Sequence, residues 1–108
     1  MMRNKLIRCG CLCIGLLTSL PASAIEPTTA RQAELRNLLK HDCGSCHGLT
    51  LKGGLGPSLL AKDLADKPND YLVSTIQQGR SDTAMPPWQP FITEAETRWL
   101  IEKLLKNP

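Results

Sequence analysis

The stretch Lys40–Thr50, KHDCGSCHGLT, sets Cys43 and Cys46 three residues apart and follows the second at once with His47. Thiols at that spacing serve three chemistries: a redox disulfide, half of a zinc site, and covalent attachment of a haem. Which one applies depends on the compartment, on the other ligands the chain offers, and on what the chain can bury.

The first 24 residues differ from the rest. Arg3, Lys5 and Arg8 open the chain, CGCLCIGLLTSL (9–20) is uncharged and mostly apolar, and Pro21 with Ala22-Ser23-Ala24 closes the run. A basic start, a short apolar middle and small residues at a cleavage point are the plan of a secretory signal. The run is shorter than the roughly 20 apolar residues a membrane anchor needs. A lipoprotein anchor fits poorly, because Arg8 directly precedes Cys9 and no small-residue pair precedes Cys13. Cleavage after Ala24 is expected, with export to the periplasm and residues 25–108 as the mature domain.

That cleavage changes the arithmetic. Three of the five cysteines and three of the thirteen basic residues leave with the signal, and no acid does, so the mature part carries ten bases against ten acids. No basic run remains for a polyanion, so nucleic acid and acidic membrane are excluded as partners. With two cysteines left, a multi-disulfide framework is excluded as well. The 84 residues that remain of 108 make a marginal core, and exported domains of this size generally carry a covalent or metal staple. The pair Cys43/Cys46 has to supply it.

Periodicity places helices and no strands. Residues 28–47 read as a helix capped at Thr28 or Thr29, with Leu35, Leu38 and Leu39 inward, running into the cysteine motif. Five glycines between Gly44 and Gly56 predict loop beyond it, with a short helical piece within 58–65. A helix begins at Asn69 or Asp70 and stops at Gly79, with Leu72, Val73 and Ile76 inside. SDTAMPPWQP (81–90), with three prolines, cannot be regular structure. Thr93 and Glu96 form a capping box for a last helix with Ala95, Trp99, Leu100, Leu104 and Leu105 on its apolar side. The fold class is all-α, three to five helices around one group.

Cysteines at i and i+3 lie about 5–6 Å apart on one helical face, which lets both add to the vinyl groups of one porphyrin. A histidine directly after the second is carried beneath the ring, within reach of iron. Zinc would need two more ligands at comparable spacing, and the mature part offers His41 and carboxylates. A thioredoxin-type pair opens a helix in an alternating strand-helix pattern, whereas this motif ends a helix in a chain without strands. Covalent haem c held by Cys43 and Cys46, with His47 as iron ligand, is the reading that compartment, motif and small core share.

On these residues the chain resembles the class I cytochromes c over essentially all of its mature part. The likeness rests on CGSCHG (43–48), GLGPSL (54–59), YLVSTIQQGR (71–80), AMPPW (84–88) and the last helix. More narrowly it resembles the NirC type, small mono-haem cytochromes encoded beside the haem-d-containing nitrite reductase of denitrifying bacteria. The resemblance implies a class I cytochrome c fold and Met85, the one mature methionine, as sixth ligand. A gap-filling methionine is the plain alternative, set against the stiffness of Pro86 and Pro87. It further implies that the Pro57 carbonyl accepts the Nδ1–H of His47; a simple turn proline is the alternative. Trp88 would donate its indole N–H to a haem propionate, or would only pack. His41, two residues before Cys43, is expected exposed. Where family members place a glycine and an aromatic in the first helix this chain has Leu35 and Leu39, and the late aromatic of the last helix falls at Lys103, one turn after Trp99.

The expected function is a periplasmic electron carrier, not an enzyme, because two axial ligands leave no open site. Its implied redox partners are the nitrite reductase or the maturation proteins of its special haem, and a monomer is expected. A general respiratory carrier to an oxidase or peroxidase is the main alternative, followed by a gas-binding sensor with an open sixth position.

Overall fold

Thr28 starts the first helix: its hydroxyl accepts the Arg31 N–H at 3.3 Å, freeing the helix from one unpaired donor. In this computed structural model, which describes residues 25–106, α1 spans Thr29–Leu38. The chain does not break there. It widens into a π-helical turn, Leu39–Cys43, and tightens again into α2, Gly44–His47. One wide turn sets the later side chains back by about 100° relative to an unbroken α-helix. Leu38, Leu39, Cys43, Cys46 and His47 all come to line one cavity. The sequence predicts the helix but carries no sign of the wide turn. The signal-peptide expectation falls on residues 1–24, outside those described.

After a glycine-rich loop come the single-turn α3, Ala61–Leu64, then α4, Asn69–Gln78, and α5, Glu94–Lys106. No strand occurs among the described residues. Gly79 ends α4 as expected. The capping box of α5 forms in both directions: the Thr93 N–H reaches Glu96 Oε2 at 2.8 Å, and the Glu96 N–H reaches Thr93 Oγ1 at 3.2 Å.

Two apolar clusters hold the helices. Leu64, Leu72, Val73, Ile101 and Leu104 join α3, α4 and α5. Leu35, Ile92, Trp99 and Leu100 join α1 to α5. Leu39 and Ile76 pack against both. Leu35 and Trp99 thus share one cluster, and Lys103 and Arg36 lie over the Trp99 ring at 5.0 and 5.3 Å. Losing Leu35, which is fully buried, would cost roughly 2–5 kcal/mol.

One expectation needs correction. Ala95 is exposed, and the inner face of α5 carries Thr97 and Ile101 instead. The hydroxyl of Thr97 is acceptable inside because it donates to the Thr93 carbonyl at 2.9 Å and accepts from Gln77 on α4. A buried polar group costs little once it is fully bonded.

Candidate functional site

The helices and the loops between them enclose a cavity of about 610 Å³ with a mainly apolar lining, inside the range of about 300–1,000 Å³ typical of cofactor sites. The α1–α2 segment brings Cys43, Cys46 and His47 to its wall. The following loop brings Gly56 and Pro57, and the proline-rich loop brings Met85 and Trp88. All six residues singled out from the sequence therefore line one space. His41 does not line it and is exposed.

His47 is oriented by the backbone. Its Nδ1 lies 2.7 Å from the Pro57 carbonyl oxygen. A carbonyl can only accept, so Nδ1 carries the proton and Nε2 keeps its lone pair for a metal. The Pro57 carbonyl is itself held in place by its neighbour. Ser58 Oγ donates to Asp63 at 2.7 Å and accepts the Leu60 N–H at 3.2 Å. On the near side, the Gly56 N–H donates to the Cys46 carbonyl at 2.7 Å. A Cβ on Gly56 would stand 2.8 Å from Cε1 and 2.9 Å from Nδ1 of His47. The imidazole therefore lies flush against a residue that has to be glycine. Sequence reasoning took this glycine, the first residue of GPSL (56–59), as loop punctuation, and the motif holds no sign of the contact.

The thiols are both free and half-buried. Burial, and then the neighbouring Asp42 carboxylate, push the Cys43 thiol up to about 11. A redox pair of the thioredoxin kind needs the opposite, a lowered thiol. Among the described residues no group of three or more His, Cys, Asp or Glu side chains is placed to hold a metal ion, so a zinc site finds no further ligands. What remains fits a porphyrin: two thiols on one turn, an imidazole with its Nε2 unprotonated, a thioether, and an apolar cavity of sufficient volume.

The wall opposite in chain order is built by α4 and α5. Leu72 and Ile76 from α4, and Leu100 and Leu104 from α5, which sequence reasoning assigned to core alone, line the cavity together with Ile101. Lys67 and Arg80 are its cationic lining residues and Asp42 and Asp63 its acidic ones. No helix of the described residues is long and apolar enough to cross a membrane.

Comparison with known proteins agrees with this geometry. The family described as cytochrome c oxidase, cbb3-type, subunit III, matches residues 30–102. The chain is 49% identical to cytochrome c55X of Pseudomonas aeruginosa over 89 residues, covering 82% of this chain and 75% of that protein. It is 43% identical to cytochrome c55X of Stutzerimonas stutzeri over 105 residues, covering 97% and 93%. Among solved structures, the c-type cytochrome NirC matches with a TM-score of 0.72 at 49% identity, over 74% of this chain and 94% of that one. The dihydro-heme d1 dehydrogenase NirN, solved in complex with DHE, matches with a TM-score of 0.62 at 29% identity, over 68% of this chain and 16% of its own.

Proposed function

The chain belongs to the class I c-type cytochromes, electron carriers with covalently bound haem c, and from that premise we propose that it is a periplasmic mono-haem carrier serving the nitrite reductase system. The observation that carries the reading is the meeting of Cys43, Cys46, His47 and Met85 on one apolar cavity. Similarity to NirC and to the c55X proteins, and to the dihydro-heme d1 dehydrogenase NirN, supports the link to nitrite reduction. Electrons would pass either to the reductase or to the maturation of its special haem.

Cys43 and Cys46 would form thioethers to one haem, and His47 would give its Nε2 to the iron with the Pro57 carbonyl holding the ring. Met85 would supply a sulfur donor to the iron, and Trp88 an indole N–H for a propionate. When bound, the haem supplies an iron that cycles between the ferrous and ferric states. The protein's own contribution would be to hold His47 and Met85 in place as donors and to keep water away. A weak thioether donor and an apolar lining both favour the ferrous state. With His47 and Met85 both engaged as donors, no position would be left for a substrate, which supports a carrier rather than an enzyme. Residues 1–24 would direct export and be removed after Ala24, leaving residues 25–108 as a monomeric domain outside the cytoplasm.

The test is rapid mixing of the reduced, matured protein with an oxidised haem-d-containing nitrite reductase. Fast oxidation at micromolar concentrations supports the reading. Exchange no faster than with an unrelated acceptor sinks the nitrite reductase link and leaves a general respiratory carrier, a reading favoured by the oxidase-subunit description of the family.

A further inference from the structure

The residue that closes α4 bears on how Met85 is held. Gly79 closes α4 with φ 68° and ψ −169°, a backbone region essentially reserved for glycine. Space forbids a side chain there as well. A Cβ on Gly79 would lie 2.7 Å from the Met85 carbonyl oxygen, from the Pro86 carbonyl carbon and from the Pro87 nitrogen. All three atoms belong to the two peptide groups that flank Pro86. The end of α4 is therefore stacked directly on the backbone that carries Met85.

The contact is laced on both sides. The Arg80 N–H donates to the Met85 carbonyl at 3.2 Å, the Trp88 N–H to Ile76 at 3.0 Å, and the Gln89 N–H to Gln77 at 3.2 Å. Thr83 Oγ1 accepts the Met85 N–H at 3.3 Å and donates to the Arg80 carbonyl at 2.7 Å. Pro86 and Pro87 fix their own φ near −65°, so this backbone cannot bend around an added methyl. It would have to shift as a body, and Met85 with it.

We propose that Gly79 is the positioning residue for Met85: the bare backbone of the helix end sets where the thioether enters the cavity. The proposal rests on Met85 being the sixth ligand. A displacement of the loop by the width of a methyl group exceeds what a metal–sulfur bond tolerates, since metal-site distances hold to about 0.2 Å.

The experiment compares visible spectra of three matured holoproteins: the parent, Gly79→Ala and Thr93→Ala. The last loses a helix cap away from the Met85 loop and controls for lost stability alone. The parent and Thr93→Ala should both show the far-red sulfur-to-iron band of the oxidised form. Gly79→Ala, with its haem still covalently attached, should lose that band, and its ferrous form should bind carbon monoxide where the parent's does not. A Gly79→Ala band of parental intensity overturns the proposal while leaving Met85 as ligand. A parent without the band overturns the Met85 reading itself, and this inference with it. Should Gly79→Ala fail to accumulate folded, Gly79→Ala/Pro87→Gly frees the peptide plane to retreat and should restore a folded, banded protein; a double variant no better folded than the single also overturns the proposal.

Discussion

The Nδ1 of His47 and the carbonyl oxygen of Pro57 lie 2.7 Å apart, ten residues separated in sequence. Between them in the chain, Gly56 closes against the same ring from the side, at distances a methyl group could not share. The imidazole is thus fixed by one hydrogen bond and one flat contact. Gly56→Ala should rotate or push the ring and lower stability by about 1–3 kcal/mol, the usual cost of overpacking. Denaturant unfolding of the matured protein followed by its haem absorbance checks this. An unfolding midpoint equal to the parent's would contradict the contact.

The cavity lining draws on all the main helices, so the fold depends on what fills it. Cys43→Ala/Cys46→Ala should lose both the haem and most of the helical circular dichroism. A chain with one phenylalanine and a long glycine-rich loop buries too little apolar surface to offset the entropy of ordering it. Native-like helicity in the double variant would show that the two apolar clusters suffice alone.

Met85 distinguishes a carrier from a sensor. Met85→Ala should keep the haem attached, because the thiols and His47 are untouched, and should open a coordination position to water. Its reduction potential should fall, since an oxygen donor favours ferric iron where the thioether favoured ferrous. Protein-film voltammetry reads the shift. An unchanged potential would remove Met85 from the ligand set.

Acid sensitivity should be traceable to one ion pair. Glu96 bonds to Arg31 at 2.7 Å and to the Thr93 N–H at 2.8 Å. Its hydrogen bond with the Arg31 side chain, chiefly, holds the carboxyl below its ordinary range. A depressed carboxylate stabilises the fold fully above its unfolded value, about 4.3, and that stability disappears as pH falls through the lower folded value. Glu96→Gln should therefore be less stable than the parent at pH 7, with the difference shrinking below about pH 4. Thr93→Ala, which removes the other half of the capping box, should cost about 1 kcal/mol. Thermal melts of both variants at pH 7 and pH 3.5 decide the matter; a gap for Glu96→Gln that widens in acid would be the wrong sign.

Much of this protein is written locally in its chain. The cap at Thr28, the stop at Gly79, the Thr93/Glu96 box and the irregular 81–90 loop depend on residues within a few positions of each other, so propensity and spacing reveal them. The Cys43-Cys46-His47 motif is local too, and together with the compartment and the other ligands the chain offers it selects among thiol chemistries. What the sequence leaves open are contacts between distant stretches of backbone. Gly56 against His47 and Gly79 against Met85–Pro87 involve the absence of a side chain, and an absent side chain gives no periodicity or charge to read. The π-helical turn at Leu39–Cys43 is equally silent, because the residues that form it would serve an ordinary helix as well. Thr97 is inside and Ala95 outside for a similar reason: Gln77, twenty residues earlier, supplies the hydrogen bond that makes a hydroxyl acceptable in the core. Local bonding fixed which segments are helical, while packing between them decided which backbone must come bare against His47 and against the Met85 loop.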